Sequence, residues 1–273
     1  MRERAELAGA RRVVVKVGSS SISGQNAHKI QTIVDGLAAA HARGTEVVLV
    51  SSGAIATGMP YLSLDERPVD LATQQAAAAV GQNVLIYRYQ DALRPFQIVA
   101  GQVLLTAGDL ENATHRSNAR RAMERLLGLR ILPIVNENDT VATHEIRFGD
   151  NDRLAAMVAE LIGADALVLL SDIEALYTRP PSEPGARPID IVAHDDDLSG
   201  FEFGATVVNS VGTGGAATKA SAARLAAASG IGVLVTSADL VNEALSGASI
   251  GTWFAPNPAV TPSSATAPVR TGA

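Results

Sequence analysis

The chain reads as an α/β protein, a three-layer α/β/α sandwich with a mainly parallel central sheet, on three observations. Strand-like runs alternate with helix-like runs along almost the whole sequence. Most strand runs are continuously apolar, as in Val13-Val14-Val15 and Ala166-Leu167-Val168-Leu169-Leu170, the pattern of strands covered on both faces. Four of them end in small or polar clusters: Gly18-Ser19-Ser20, Ser52-Gly53-Ala54, Asn136-Glu137-Asn138-Asp139 and Ser171-Asp172. In open parallel sheets ligands sit beyond the carboxyl ends of the strands, so these clusters mark where a site is expected.

The first strand, residues 13–17, is β-branched and stops at Gly18. A helix over 27–42 is closed by Gly44, and a strand over 46–50 runs into Ser51-Ser52-Gly53. A long helical stretch covers 71–93, with an interruption expected near Gly81. A strand at 98–105, a helix at 114–127 stopped by Gly128, and a strand at 130–135 follow, and 140–147 reads as a small hairpin or lid. The helix at 151–162 ends at Gly163, and the strand at 166–170 ends at Ser171-Asp172. A short strand at 189–193, a helix at 216–229, a strand at 232–235, a short helix at 240–245 and a strand at 251–254 complete the order. Residues 178–188 hold four prolines and read as a loop, and 255–273, rich in Pro, Ser, Thr and Ala, as a disordered tail.

Composition narrows the function. A chain of 273 residues with 47% hydrophobic and 18% charged content buries a sizeable core. A net charge of −6 argues against a general nucleic-acid-binding surface. The absence of cysteine excludes disulfides, thiolate metal sites and cysteine nucleophiles, and fits a cytoplasmic chain. The charged N-terminus lacks a signal peptide's apolar core, and the richest apolar stretch, 154–170, is broken by Glu160 and Asp165, so no membrane partner is expected.

The segment Gly212-Thr213-Gly214-Gly215-Ala216-Ala217-Thr218-Lys219 is the strongest chemical signal. Its glycines let backbone approach a ligand, and Lys219 at the start of an alanine-rich helix adds a cation, a combination suited to phosphate. Thr218 stands where a Walker A loop has glycine, so this is no P-loop; a plain loop into a surface helix is the competing reading. Lys16 interrupts an apolar strand, and with Lys219 would clamp a transferring phosphoryl group, unless it only snorkels at the sheet end. Asp172 reads as an anchor for both lysines or as a cap. Asn136, Asn138, Asp139, Asp150, Asn151 and Asp152 would receive the ammonium and carboxylate of an amino acid, with turn capping or a cation loop as alternatives. The five histidines show no metal spacing, Ser52 is not in a nucleophile elbow, and no dinucleotide fingerprint follows the first strand.

Taken in order, Val14-Val15-Lys16-Val17-Gly18-Ser19-Ser20, Ser51-Ser52-Gly53-Ala54-Ile55, Ala79-Val80-Gly81-Gln82, Gly101-Gln102-Val103-Leu104-Leu105-Thr106, Val135-Asn136-Glu137-Asn138-Asp139, Gly149-Asp150-Asn151-Asp152, Leu176-Tyr177-Thr178 and the 212–219 loop resemble the amino acid kinase family. Within it they are most similar to the branch that phosphorylates glutamate on its side-chain carboxylate. The resemblance covers about residues 12–254 and implies one kinase domain over 1–254, with an acceptor part over 1–165 and a nucleotide part over 166–254. It implies that Lys16 and Lys219 stabilise the phosphoryl group and that Asp172 organises them. Ser52, Gly53, Ala54, Asn136, Asp139, Asp150, Asn151 and Asp152 would bind glutamate. Lys16, Gly18, Ser171, Asp172, Thr213, Gly214, Gly215 and Lys219 would line the ATP site. ATP with Mg²⁺, L-glutamate, proline as feedback inhibitor and a homodimer or homotetramer follow from the same resemblance. Sister kinases acting on N-acetylglutamate, aspartate or a nucleotide monophosphate, and a non-catalytic sensor, are the alternatives. Ser171 and Ala216 depart from the Thr and Met usual in the family, and many bacterial relatives carry a C-terminal PUA domain for which this chain leaves no room.

Overall fold

The computed structural model describes residues 1–142, 151–201 and 215–261. Its strands are β1 (Arg12–Val17), β2 (Glu46–Val50), β3 (Ala100–Leu105), β4 (Leu132–Glu137), β5 (Ala166–Ser171), β6 (Ile191–Val192), β7 (Gly232–Ser237) and β8 (Thr252–Phe254). Its α-helices are α1 (Lys29–Ala42), α2 (Ala54–Gly58), α3 (Leu71–Leu93), α4 (Ala107–Glu111), α5 (Ala113–Gly128), α6 (Asn151–Leu161), α7 (Ala216–Ala228) and α8 (Val241–Leu245). The strands form one sheet in the order β3-β4-β2-β1-β5-β7-β8-β6. Every neighbouring pair is parallel except β7 and β8. The expected α/β/α sandwich with a mainly parallel sheet is what the chain forms.

Alternation along the strands splits the core into two layers. Val14, Val48, Leu167, Leu169 and Val233 pack with Met123 of α5, Leu154 and Val158 of α6 and Ala223 of α7. Val13, Val15, Val47, Leu49 and Val168 face the other way, toward Ile33 and Leu37 of α1, Leu85 and Tyr89 of α3 and Val241 of α8. Lys16 is two residues beyond Val14, so its side chain belongs to the α6–α7 layer. Ser51 is two beyond Leu49 and belongs to the α3 layer. These parities decide which half of the site each residue can serve.

From β1 the chain moves to β2 on one side, and from β5 it moves toward β6 and β7 on the other. The winding therefore reverses between β1 and β5, and a crevice opens at their carboxyl ends. Lys16 and Gly18 lie on one wall of it and Ser171 and Asp172 on the other.

Three details differ from the sequence reading. Helix α3 is continuous through Gly81. That glycine serves an approach of backbones: a Cβ on Gly81 would overlap the carbonyl of Ala54, and one on Gly58 that of Ala77, so α2 lies directly on α3. Strand β4 begins at Leu132 and runs on through Asn136 and Glu137, which are buried at its end rather than in a loop after it. The short helices α2 and α4 escaped notice because five residues give no readable period; α4 is held by a reciprocal cap between Thr106 and Asp109. The expected hairpin at 140–147 lies outside the described residues beyond Ala142, as does the expected tail beyond Thr261.

Candidate functional site

The α6–α7 layer brings together three buried charges. Lys16 Nζ lies 2.5 Å from Asp152 Oδ1, and Lys219 Nζ lies 3.0 Å from Asp152 Oδ2. Asp152 is fully buried, and the two lysines are 2% and 7% exposed. Each of these charges alone would be costly in such a place, and together they offset one another. Asp152 stands in the first turn of α6, where the helix dipole also favours a carboxylate. Lys219 stands in the first turn of α7, where the dipole opposes it, so its position depends on Asp152. Among the described residues Lys219 gives Asp152 one of its three N–H donors, which leaves two for an anion.

Thr218 ties this centre to the glycine loop. Its hydroxyl accepts from Gly215 N at 3.0 Å, donates to Gly215 O at 2.9 Å, and stands 3.5 Å from Asp152 Oδ2. Gly215 is therefore held at the start of α7 beside the lysine. A Cβ on Gly18 would come within 3.9 Å of Lys16 Nζ, so bare backbone borders the ammonium there.

The adjacent residue of α6 serves the other half. Asn151 Nδ2 donates to Ser51 O at 2.8 Å, Ser52 Oγ at 3.0 Å and Asn136 Oδ1 at 3.0 Å. One amide thus joins the end of β2 to the end of β4. Asn136 Oδ1 also accepts from Glu137 N, while Asn136 Nδ2 is buried with no hydrogen-bond partner among the described residues. Such a donor suits a ligand carboxylate. Gly53 adopts φ +89°, a left-handed conformation open to glycine, and opens α2 against Ser19 of the first strand's loop. Neighbouring residues of α6 therefore face two different clusters: Asn151 the loops of β2 and β4, Asp152 the lysines.

The sequence reading placed Asp172 between the lysines. The structure puts Asp152 there instead. Asp172 has left the sheet, is exposed, bonds the hydroxyl of Ser171 at 3.1 Å, and makes no ion pair with either lysine among the described residues. Asp152 occupies the buried stripe of α6 with Ala155, Ala156 and Ala159. An acid on an apolar stripe at helical spacing was the signal that could have identified it. Ser52, Gly53, Ala54, Asn136 and Asn151 gather as one cluster, and Lys16, Gly18, Asp152, Gly215 and Lys219 as a second. Ser171 is buried at the end of β5, on the same sheet face as Lys16. Asp139 is half-buried just past β4. Asp150, Thr213 and Gly214 lie outside the described residues. Thr218, Ser51 and Tyr89 belong to the site's framework; the sequence reading named Thr218 and Ser51 only within motifs, with no site role, and did not name Tyr89.

Among the described residues no helix is long and apolar enough to cross a membrane. The profile of the amino acid kinase family matches residues 11–237. The chain is 72% identical to a glutamate 5-kinase of Clavibacter sepedonicus over 253 residues, covering 93% of this chain and 97% of that protein. It is 70% identical to the glutamate 5-kinase of Leifsonia xyli subsp. xyli over 254 residues, covering 93% and 94%. A more distant glutamate 5-kinase, from Salinispora arenicola, is 55% identical over 94% of this chain and 70% of its own length. Among solved structures, a carbamate kinase from Giardia lamblia bound to AMP-PNP superposes with a TM-score of 0.69 at 15% identity, over 92% of this chain and 100% of that one, which is a likeness of fold.

Proposed function

Because this chain belongs to the amino acid kinase family, we propose that it transfers the γ-phosphoryl group of ATP to the side-chain carboxylate of L-glutamate. The product is L-glutamyl 5-phosphate, the first intermediate toward proline. The observation that carries this reading is the pair of clusters on α6: an amide that organises acceptor loops, and beside it a carboxylate that organises two lysines.

A carboxylate is already nucleophilic at neutral pH, so the reaction asks for no general base. It asks for alignment and for neutralisation of charge on the phosphoryl oxygens. Lys16 and Lys219 supply that charge, and Asp152 fixes where their ammonium groups stand. Thr218 and Gly215 hold the α7 end of the glycine loop, whose backbone N–H groups suit phosphate. Ser171, at the end of the neighbouring strand, is assigned to the nucleotide with Asp172, Thr213 and Gly214. Ser52, Gly53, Ala54, Asn136, Asp139, Asp150 and Asn151 are assigned to glutamate. The acceptor part, 1–165, supplies β1 to β4, and the nucleotide part, 166–254, supplies β5 to β8.

The residues present fit Mg·ATP. Among the described residues Lys219 keeps two donors for phosphate oxygens. Mg²⁺ would come with the nucleotide phosphates and would neutralise charge there. Feedback inhibition by proline, a homo-oligomer and a cytoplasmic location complete the proposal by analogy with the family.

Incubation with Mg·ATP, L-glutamate and hydroxylamine tests the reading directly. Glutamate-dependent hydroxamate, matched by ADP, is the expected result. ADP formation that follows N-acetylglutamate or aspartate in place of glutamate would overturn it.

A further inference from the structure

Helix α3 lies on the sheet face opposite the lysines, yet it carries three polar side chains at seven-residue spacing: Gln75, Gln82 and Tyr89. Seven residues make about two helical turns, so the three share one stripe. Each bonds a segment from which an acceptor residue projects. Gln75 Nε2 donates to Ala142 O at 3.3 Å, and Gln82 Nε2 donates to Glu137 O at 3.3 Å. The Tyr89 hydroxyl and Ser51 Oγ share a hydrogen bond of 3.0 Å. Close to this stripe, Gly81 rests on the backbone of Ala54.

We propose that this stripe of α3 sets the affinity for the amino-acid acceptor, with Tyr89 as the positioning residue for Ser51-Ser52; the inference rests on the acceptor assignment made above. Tyr89 is fully buried and Ser51 is 1% exposed, so neither hydroxyl can turn to water when the other is removed; Tyr89 then has no partner among the described residues, and Ser51 Oγ keeps only its 3.3 Å bond to Ser52 O. Ser51 O is one of the three acceptors of the Asn151 amide, and Ser52 Oγ is another. A shift of Ser51 therefore passes into the acceptor cluster. Lys16, Asp152 and Lys219 belong to the opposite layer and receive no hydrogen bond from the stripe among the described residues. Perturbing it acts on one substrate only.

The test measures kcat and both KM values for Tyr89→Phe, Ser51→Ala and the double variant, beside the wild type. Each single variant should raise KM for glutamate about five- to tenfold, since both lose the buried bond between Tyr89 and Ser51, with kcat and KM for ATP within about twofold. The double variant should be no worse than the poorer single one, because both remove the same bond. Gln82→Met, two turns away and half-buried, should show the same selective rise and supplies the test if Tyr89→Phe folds poorly. Glutamate KM within twofold of wild type in these variants overturns the inference. So does a parallel rise in both KM values, the mark of a merely structural role, or additive effects in the double variant. A wild type that makes no glutamate-dependent product overturns the functional reading and this inference with it, whereas unchanged variants beside an active wild type overturn this inference alone.

Discussion

Replacing Asp152 with asparagine keeps the shape of the side chain and removes the charge between Lys16 and Lys219. In the native protein its two oxygens sit 2.5 and 3.0 Å from the two ammonium groups. Without it, the two ammonium groups that flank this position repel one another by an amount on the order of a few kcal/mol at an effective dielectric constant of about 20. Breaking a buried pair by removing one partner costs on the order of 3–5 kcal/mol. Asp152→Asn is therefore expected to lose about that much stability, read as a lower urea midpoint at unchanged slope. Turnover should fall by about two to three orders of magnitude, because ammonium groups that repel one another no longer stand where the phosphoryl oxygens need them. Mg·ATP should recover more stability in the variant than in the wild type, since the triphosphate restores negative charge between the lysines. The assays are urea unfolding with and without Mg·ATP, and initial rates of hydroxamate formation. An unchanged midpoint together with near-wild-type turnover would refute the organising role of Asp152 and the electrostatic argument beneath it.

Lys219→Ala and Lys16→Ala should each lose turnover by about two to three orders of magnitude while circular dichroism shows a folded chain, because Asp152 keeps the other lysine. Asn151→Ala removes the three bonds that join Ser51, Ser52 and Asn136, and should raise KM for glutamate by about tenfold or more, with little change in KM for ATP, in steady-state kinetics. Gly81→Ala drives a methyl group into the Ala54 carbonyl and should cost on the order of 1–3 kcal/mol or more in urea unfolding. Burial pushes the Tyr89 hydroxyl well above the ordinary tyrosine value, and the bond from Ser51 only partly offsets it. An unfolded tyrosine ionises near about pH 10 while Tyr89 stays neutral, so its contribution is intact below that pH and is lost as pH rises above it. The slope should be about 1.4 kcal/mol per pH unit above about pH 10.5, and Tyr89→Phe should remove it.

Much of the architecture was legible in the chain because apolar runs and helix periods are local signals. Val13-Val14-Val15 and Ala166-Leu167-Val168-Leu169-Leu170 announce strands covered on both faces, and both lie in the middle of the sheet. Lys16 stood out for the same reason, as a charge in an apolar run. Gly81 misled, since a glycine in a helix reads as a break until the helix that needs its bare backbone is in view. Asp152 was recognised as a site residue but given to the wrong cluster, because its neighbour Asn151 points to the acceptor loops and sequence adjacency conceals a divergence of side chains at a helix start.

By itself the sequence determined the layered α/β class, the strand ends that would bear a site, and the residue types a phosphoryl transfer needs. Those depend on hydrophobic period and on side-chain chemistry, which each residue carries with it. Only the tertiary structure decided which carboxylate pairs with which lysine, and that Asn151 joins the ends of β2 and β4. It also decided that one stripe of α3 braces the acceptor loops. These are contacts between residues about 40 to 140 positions apart, set by strand order and by which face of the sheet each side chain takes, and a chain's local pattern holds no record of either.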